Sequence, residues 1–183
     1  MAPSRTTERR REHGPLEIYP QGDTDIIHTR LIDAPRNVVF AALTNEALFE
    51  QWFVPEGCVL ESVGLEAKPG GYWSYVMRNP DGSISAMKGE ILELDSPSLL
   101  VLHFPGDKQG GDAIAHSMHV KYVFSDEAGK TRFHETLSCA TKEVRDATLD
   151  ADFDPWLRHI YERLAALLPE FERHLNEDAS TRS

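Results

Sequence analysis

The stretch DIIHTRLIDAPRNVVFAALTNEALFEQWFVPEGC, residues 25–58, decides the fold of this chain. It begins as an isoleucine-rich strand that stops at Asp33-Ala34-Pro35. Proline suits the first turn of a helix because its φ is already fixed, and the apolar residues that follow recur at helical spacing. Thr44 or Asn45 can then cap a second short helix, which ends at Pro55-Glu56-Gly57. The stretch therefore predicts one strand followed by two short helices arranged in a V.

Segments of alternating apolar and polar residues follow the V and are separated by turn sequences such as Pro69-Gly70-Gly71 and Pro80-Asp81-Gly82. Alternation with period two predicts strands. No ten-residue helical pattern interrupts the segments, which excludes a βαβ architecture and favours an antiparallel sheet of six or seven strands. Besides the first strand, we predict strands at residues 59–67, 72–78, 84–94, 99–104, 117–124 and 131–139.

One long helix is predicted near the C-terminus. Apolar residues recur at i, i+3, i+4 and i+7 over residues 153–168, and Pro169 is expected to kink or end the helix. It is the only predicted element long enough to cover the apolar face of the sheet. We therefore expect a single α+β domain over residues 23–172, with flexible tails at 1–22 and 173–183.

The order of these motifs resembles the START-like (helix-grip, SRPBCC) superfamily, and within it the family related to the C-terminal domain of the activator of Hsp90 ATPase. The resemblance covers roughly residues 25 to 168. It implies a curved antiparallel sheet wrapped around the long C-terminal helix, often with a cavity between them. The matching residues are Ala34-Pro35, Val39-Phe40, Ala42, Thr44, Trp52, Pro55-Glu56-Gly57, Pro69-Gly70-Gly71, Trp73, Met77-Arg78, Pro80-Asp81-Gly82, Gly89-Glu90, Asp95-Ser96-Pro97 and Leu100-Val101.

The composition of the chain limits the classes of partner that it is expected to bind. The 183-residue chain has a formal net charge of −11 and a pI near 5.1. An acidic surface repels nucleic-acid phosphates, so we expect no nucleic-acid partner. No apolar run approaches the ~20 residues that span a bilayer, so we expect no membrane association. Two cysteines are too few for a disulfide framework, and no hydrophobic segment follows the arginines near the N-terminus. These observations predict a cytoplasmic protein.

The residues predicted to face the helix are large and mostly aromatic. Such side chains either fill the space as a closed core or line an apolar pocket with a few polar groups, the usual composition of a small-molecule site. Both readings stay open at the level of sequence. The candidate ligand-binding residues are Trp52, Trp73, Tyr75, Met77, Tyr122, Phe133, Glu135, Trp156 and Ile160.

Glu135 is the most informative of these residues. Its neighbours Phe133 and Leu137 are predicted to point inward, so period two turns Glu135 inward as well. A buried carboxylate without a partner is costly. We expect Glu135 to pair with Tyr75, Tyr122 or Arg158, to contact a ligand, or to be exposed by a bulge.

No motif points to a cofactor, a metal or a catalytic residue. His116 and His119 stand three residues apart beside a strand, which turns them to opposite faces. The sequence contains no GxSxG, CxxC, HExxH or phosphate-binding loop.

Three functions follow from the resemblance and the inward residues. The first is non-enzymatic binding of a hydrophobic small molecule between the sheet and the C-terminal helix. The second is a co-chaperone or other protein-interaction module like the Hsp90 activator's C-terminal domain. The third is an enzyme similar to the cyclase/aromatase members of the superfamily, which act by cavity shape. The expected partner is a hydrophobic small molecule or a chaperone, and homodimer formation is left open.

Overall fold

The structure, a computed structural model, describes residues 13–106, 116–150 and 153–181. Within them the chain forms one eight-stranded sheet and four helices. Two of the helices lie between the second and third strands, as the opening stretch predicts. The strands are β1 Glu17–Gln21, β2 Asp25–Ile32, β3 Val59–Leu65, β4 Tyr72–Arg78, β5 Ile84–Asp95, β6 Leu99–Phe104, β7 Met118–Glu127 and β8 Lys130–Ser138, and the helices are α1 Arg36–Thr44, α2 Glu46–Trp52, α3 Lys142–Asp150 and α4 Phe153–Thr181.

The sheet is antiparallel throughout, with the strand order β1-β2-β8-β7-β6-β5-β4-β3. Strands β3 to β8 follow one another as a meander, and the first hairpin is added beside β8. The predicted α+β helix-grip fold is therefore confirmed. The sheet has one strand more than the upper estimate from the sequence.

That additional strand is β1, which lies in the segment predicted to be a flexible tail. The prediction is wrong for this part of the chain, because Glu17–Gln21 pairs with β2 and Leu16 is buried in the core. Pro20 argued against a strand here, but a proline is tolerated on an edge strand, where its missing N–H removes no hydrogen bond of the ladder. The remaining part of that predicted tail, residues 1–12, lies outside the described residues.

The prediction of a flexible tail at residues 173–183 is also wrong, because α4 continues through Pro169 to Thr181. A proline inside a helix costs about 3 kcal/mol, since a backbone hydrogen bond is lost. Burial beyond the proline offsets that cost: Phe171 is fully buried, and Leu175 packs against the core.

The two short helices and α4 cover the inner face of the sheet. The side chain of Asn45 caps α2 by accepting a hydrogen bond from the Leu48 backbone N–H at 3.2 Å. The indole N–H of Trp52 donates to the Ala42 carbonyl at 2.8 Å, which ties α2 to α1 at the exit of the V. The buried apolar residues of these helices are Val38, Val39, Phe40, Ala42, Leu43, Leu48, Phe49, Trp52, Leu157, Ile160, Tyr161, Leu164, Ala165, Leu168 and Phe171.

Candidate functional site

Three polar side chains form a row across the inner face of the sheet. Strand register places His28 of β2 opposite Glu135 of β8, and Glu135 opposite Tyr122 of β7. Residues directly opposite each other on antiparallel strands point to the same face, about 5 Å apart. The register therefore brings an imidazole, a carboxylate and a phenol together inside an otherwise apolar surface.

Helix α4 completes this polar cluster. His28 Nδ1 lies 2.8 Å from Glu135 Oε2, and the Tyr161 hydroxyl donates to the same oxygen at 3.0 Å. Relative exposure is 3% for His28, 7% for Glu135 and 5% for Tyr161. Because an ionised carboxylate only accepts, the histidine contact then requires the proton to be on Nδ1. No buried side-chain polar atom among the described residues lacks a hydrogen-bond partner.

The two tyrosines hold their protons firmly. Burial raises the pKa of Tyr122 and of Tyr161 well above the ordinary value, and the charge of Glu135 raises both further. Ionising either phenol beside the carboxylate would bury a second negative charge. Both hydroxyls therefore remain hydrogen-bond donors at any physiological pH.

The predicted inward direction of Glu135 is confirmed, whereas its predicted partners are only partly right. Tyr122 does lie beside the carboxylate, but Arg158 donates instead to the Leu16 carbonyl at 2.8 Å. His28 and Tyr161 were not among the partners predicted for Glu135. The alternation of DIIHTRLI would have placed His28 inward with the isoleucines on that face, but which residue it would meet depends on the register with β8.

A second cluster is aromatic and surrounds Phe53, the residue after α2. The ring centroid of Phe53 lies 4.5 Å from Phe49, 5.2 Å from Tyr75 and 5.6 Å from Trp73. Trp156 of α4 contacts Phe53 at 5.8 Å and is only half-buried. Burial raises the pKa of Tyr75 to about 12. Tyr75 thus belongs to this aromatic cluster, where the structure gives it ring contacts rather than a bond to Glu135.

Tyr161 joins the two clusters. Its ring stacks on Trp52 with centroids 6.2 Å apart and packs on Phe133 with centroids 5.3 Å apart. Its hydroxyl donates a hydrogen bond to Glu135. Phe133 in turn lies 5.9 Å from Tyr122. Seven of the nine predicted residues therefore belong to one connected set. The other two, Met77 and Ile160, are buried in the core with exposures of 4% and 2%.

Two further features lie outside the predicted site. His103 and His119 stack on the outer face of the sheet with centroids 4.5 Å apart, and His103 Nε2 contacts the Ser117 hydroxyl at 3.0 Å. An open groove of about 290 Å³ runs between α2 and the end of α4, lined by Asn45, Ala47, Leu48, Gln51, His174, Leu175 and Glu177. No group of three or more histidine, cysteine or acidic side chains in the described residues is placed to hold a metal ion.

Comparison with known sequences identifies the family. The model of the family described as Activator of Hsp90 ATPase homolog 1-like protein matches residues 33–169. The chain belongs to this family. The resemblance seen in the sequence is thereby confirmed, and the match ends at Pro169, before the last turns of α4. No curated protein matches the sequence.

Solved structures share the fold over most of their length. A protein from Rhodobacter sphaeroides has a TM-score of 0.76 at 24% identity, covering 85% of this chain and 98% of its own. A protein from Staphylococcus epidermidis has 0.70 at 28% identity, covering 82% and 93%. An AHSA1-like protein from Aeromonas hydrophila has 0.62 at 19% identity, covering 79% and 94%. At such identities these structures establish the helix-grip fold.

The helices of the described residues are too short or too polar to cross a bilayer.

Proposed function

We propose that this protein binds a hydrophobic small molecule between the sheet and α4 without catalysing a reaction. The observation that carries the proposal is a polar cluster within an apolar face, formed by the buried His28, Glu135 and Tyr161 and the half-buried Tyr122. Replacing a buried ionic or polar group by apolar residues is often neutral or stabilising. Stability alone therefore gives little reason for a carboxylate at this position, whereas recognition of a ligand gives one.

The chemistry of the two clusters defines the ligand class. The aromatic rings around Phe53 offer dispersion contacts to an apolar body. Glu135 and the tyrosine hydroxyls offer an acceptor and donors to a polar group at its end. Trp156 and Tyr122 are only half-buried, unlike Trp52 and Trp73. We propose that these two side chains move aside to admit the ligand.

Native mass spectrometry of protein purified without detergent tests the proposal, because a retained ligand adds mass to the folded chain. Solvent extraction of the same sample identifies the ligand. We expect Glu135→Gln to reduce the bound fraction, since the acceptor is weakened, while His134→Gln on the opposite face of the same strand leaves it unchanged. Titration with the dye anilinonaphthalene sulfonate gives a second measurement. A chain with no bound mass and no saturable dye site contradicts the proposal.

A protein-interaction role like that of the family's namesake is the second candidate. The observation in its favour is on the outer face of the sheet, where Val59 and Ile84 flank Arg78 in adjacent strands. Their exposed fractions are 59% and 51%. We expect Ile84→Lys to lower any stimulation of the ATPase rate of Hsp90 by this chain, with Tyr19→Lys on the far edge as the control. If neither the natural chain nor the control changes that rate, this second role is rejected.

The cytoplasm is the location that we propose for the protein. Its support is the acidic composition and the presence of Cys58 and Cys139 as free thiols.

A further inference from the structure

Three arginines from three different elements hold the segment before β2 by its backbone. Arg30 Nε donates to the Gly14 carbonyl at 2.7 Å. Nη1 of Arg158, on α4, donates to the Leu16 carbonyl at 2.8 Å, and Nη1 of Arg145, on α3, donates to the Gly22 carbonyl at 2.8 Å. Main-chain carbonyls are present in every peptide, so these contacts do not depend on the side chains of the segment.

Main-chain pairing supplies most of the remaining contacts of this segment, alongside a hydrogen bond from the Asp33 N–H to His13 Nδ1 at 3.1 Å and partial packing of Ile18 against the core. Its backbone pairs with β2 from Glu17 to Gln21, and Gly14 N–H donates to the Leu31 carbonyl at 2.7 Å. Leu16 is the one buried side chain among residues 13–21, at 5% exposure, while Tyr19 is 42% exposed. Folded domains bind extended peptides in this way, with main-chain bonds to a strand edge supplying affinity and an apolar pocket supplying selectivity.

The segment also lies before the start of the family match at residue 33. We propose that the edge of β2, together with Arg30, Arg145 and Arg158, forms a strand-addition site for an extended peptide. The chain's own residues 13–22 are its occupant, and they detach without unfolding the rest of the domain. The site is separate from the small-molecule site of the proposed function.

Arg30 connects the two sites. Its Nη1 donates to the backbone carbonyl of Tyr161 at 3.4 Å, and its Nη2 donates to Glu162 Oε1 at 2.8 Å. The guanidinium itself is buried, at 5% exposure. Release of the segment removes one of its three acceptors, so docking of the peptide stabilises the position of α4 beside Glu135.

A cleavable full-length chain tests whether the segment is a ligand. A protease site is inserted in the exposed turn at residues 22–23, between β1 and β2, and the chain is cut after folding. We expect the cut segment to stay bound, and a fluorescent peptide with the sequence of residues 13–22 to replace it in native mass spectra and in anisotropy titrations. Burial of one leucine is worth about tenfold or more in affinity, so a peptide with Leu16→Asp should bind at least that much more weakly.

Matched controls separate strand addition from nonspecific binding of the peptide. A peptide with Tyr19→Ala should bind like the natural one, because Tyr19 points to solvent, and a domain with Arg158→Gln should bind the natural peptide more weakly. Equal binding of the Leu16→Asp and natural peptides overturns the proposal. So does loss of the circular dichroism of the domain after cleavage and release of the segment, because the segment would then be an integral part of the fold.

Hydrogen exchange on the uncut chain tests independently whether the segment detaches from the folded domain. We expect the amides of β1 to exchange at least about tenfold faster than those of β7 and β8, since detachment is a local opening. Exchange of β1 and β8 at one common rate overturns the proposal, because the segment would then leave only on global unfolding.

Discussion

Removal of the Tyr161 hydroxyl tests the polar cluster directly. Tyr161→Phe retains the ring contacts with Trp52 and Phe133 and deletes only the 3.0 Å bond to Glu135. A hydrogen bond to a charged group contributes about 1.5–3 kcal/mol. Because His28 still contacts the carboxylate, we expect a loss near the lower end, about 1.5–2 kcal/mol in the free energy of unfolding.

Urea titration followed by tryptophan fluorescence measures this loss, and thermal melting should show a decrease of about 3–8 °C for a chain of this size. A double-mutant cycle with Glu135→Gln isolates the contact, and we expect a coupling energy of at least about 0.5 kcal/mol. Tyr19→Phe on the exposed edge strand is the control and should stay within about 0.5 kcal/mol of the natural chain.

The pH dependence provides an internal check with a defined sign. The pKa of Tyr161 is raised by burial and by Glu135, so above pH 10 the unfolded chain loses a proton that the folded chain keeps. The stability of the natural chain then falls with rising pH, whereas Tyr161→Phe lacks this contribution. The gap between the two proteins should narrow above pH 10. A loss below about 0.5 kcal/mol at neutral pH, together with no coupling to Glu135, would refute the assignment of this hydrogen bond.

Three further changes have expected outcomes. Gly89→Ala should destabilise the fold by about 1–3 kcal/mol in urea titrations, because its Cβ would lie 2.6 Å from the buried ring of Phe104; an unchanged midpoint would mean that this ring moves freely. Tyr75→Phe should remove about 1.4 kcal/mol per pH unit from the alkaline loss of stability between pH 10 and 12, since the folded pKa is about 12; identical pH profiles would contradict this. Trp52→Phe should cost about 1–3 kcal/mol, because the Ala42 carbonyl loses its indole donor, and a cost near zero would show that water replaces it.

Much of the fold follows from patterns within single segments. The V of α1 and α2, the alternation in the strands and the apolar stripe of α4 each depend on residues less than one element apart, where period two or 3.6 determines which side is buried. The same reasoning turned Glu135 inward, and the structure agrees. These features need no knowledge of what lies opposite, and so the sequence by itself determined them.

The partners of Glu135 were decided only by the tertiary structure. His28 stands 107 residues away along the chain and meets Glu135 because β2 pairs with β8 in one register. Tyr161 reaches the same oxygen from α4, and Pro169 stays within that helix while Phe171 beyond it is buried in the core. Residues 13–22 have only a weak local pattern, and their structure depends on β2 and on arginines more than a hundred residues distant along the chain. Each of these outcomes depends on pairing and burial between segments far apart in sequence, for which local periodicity holds no information.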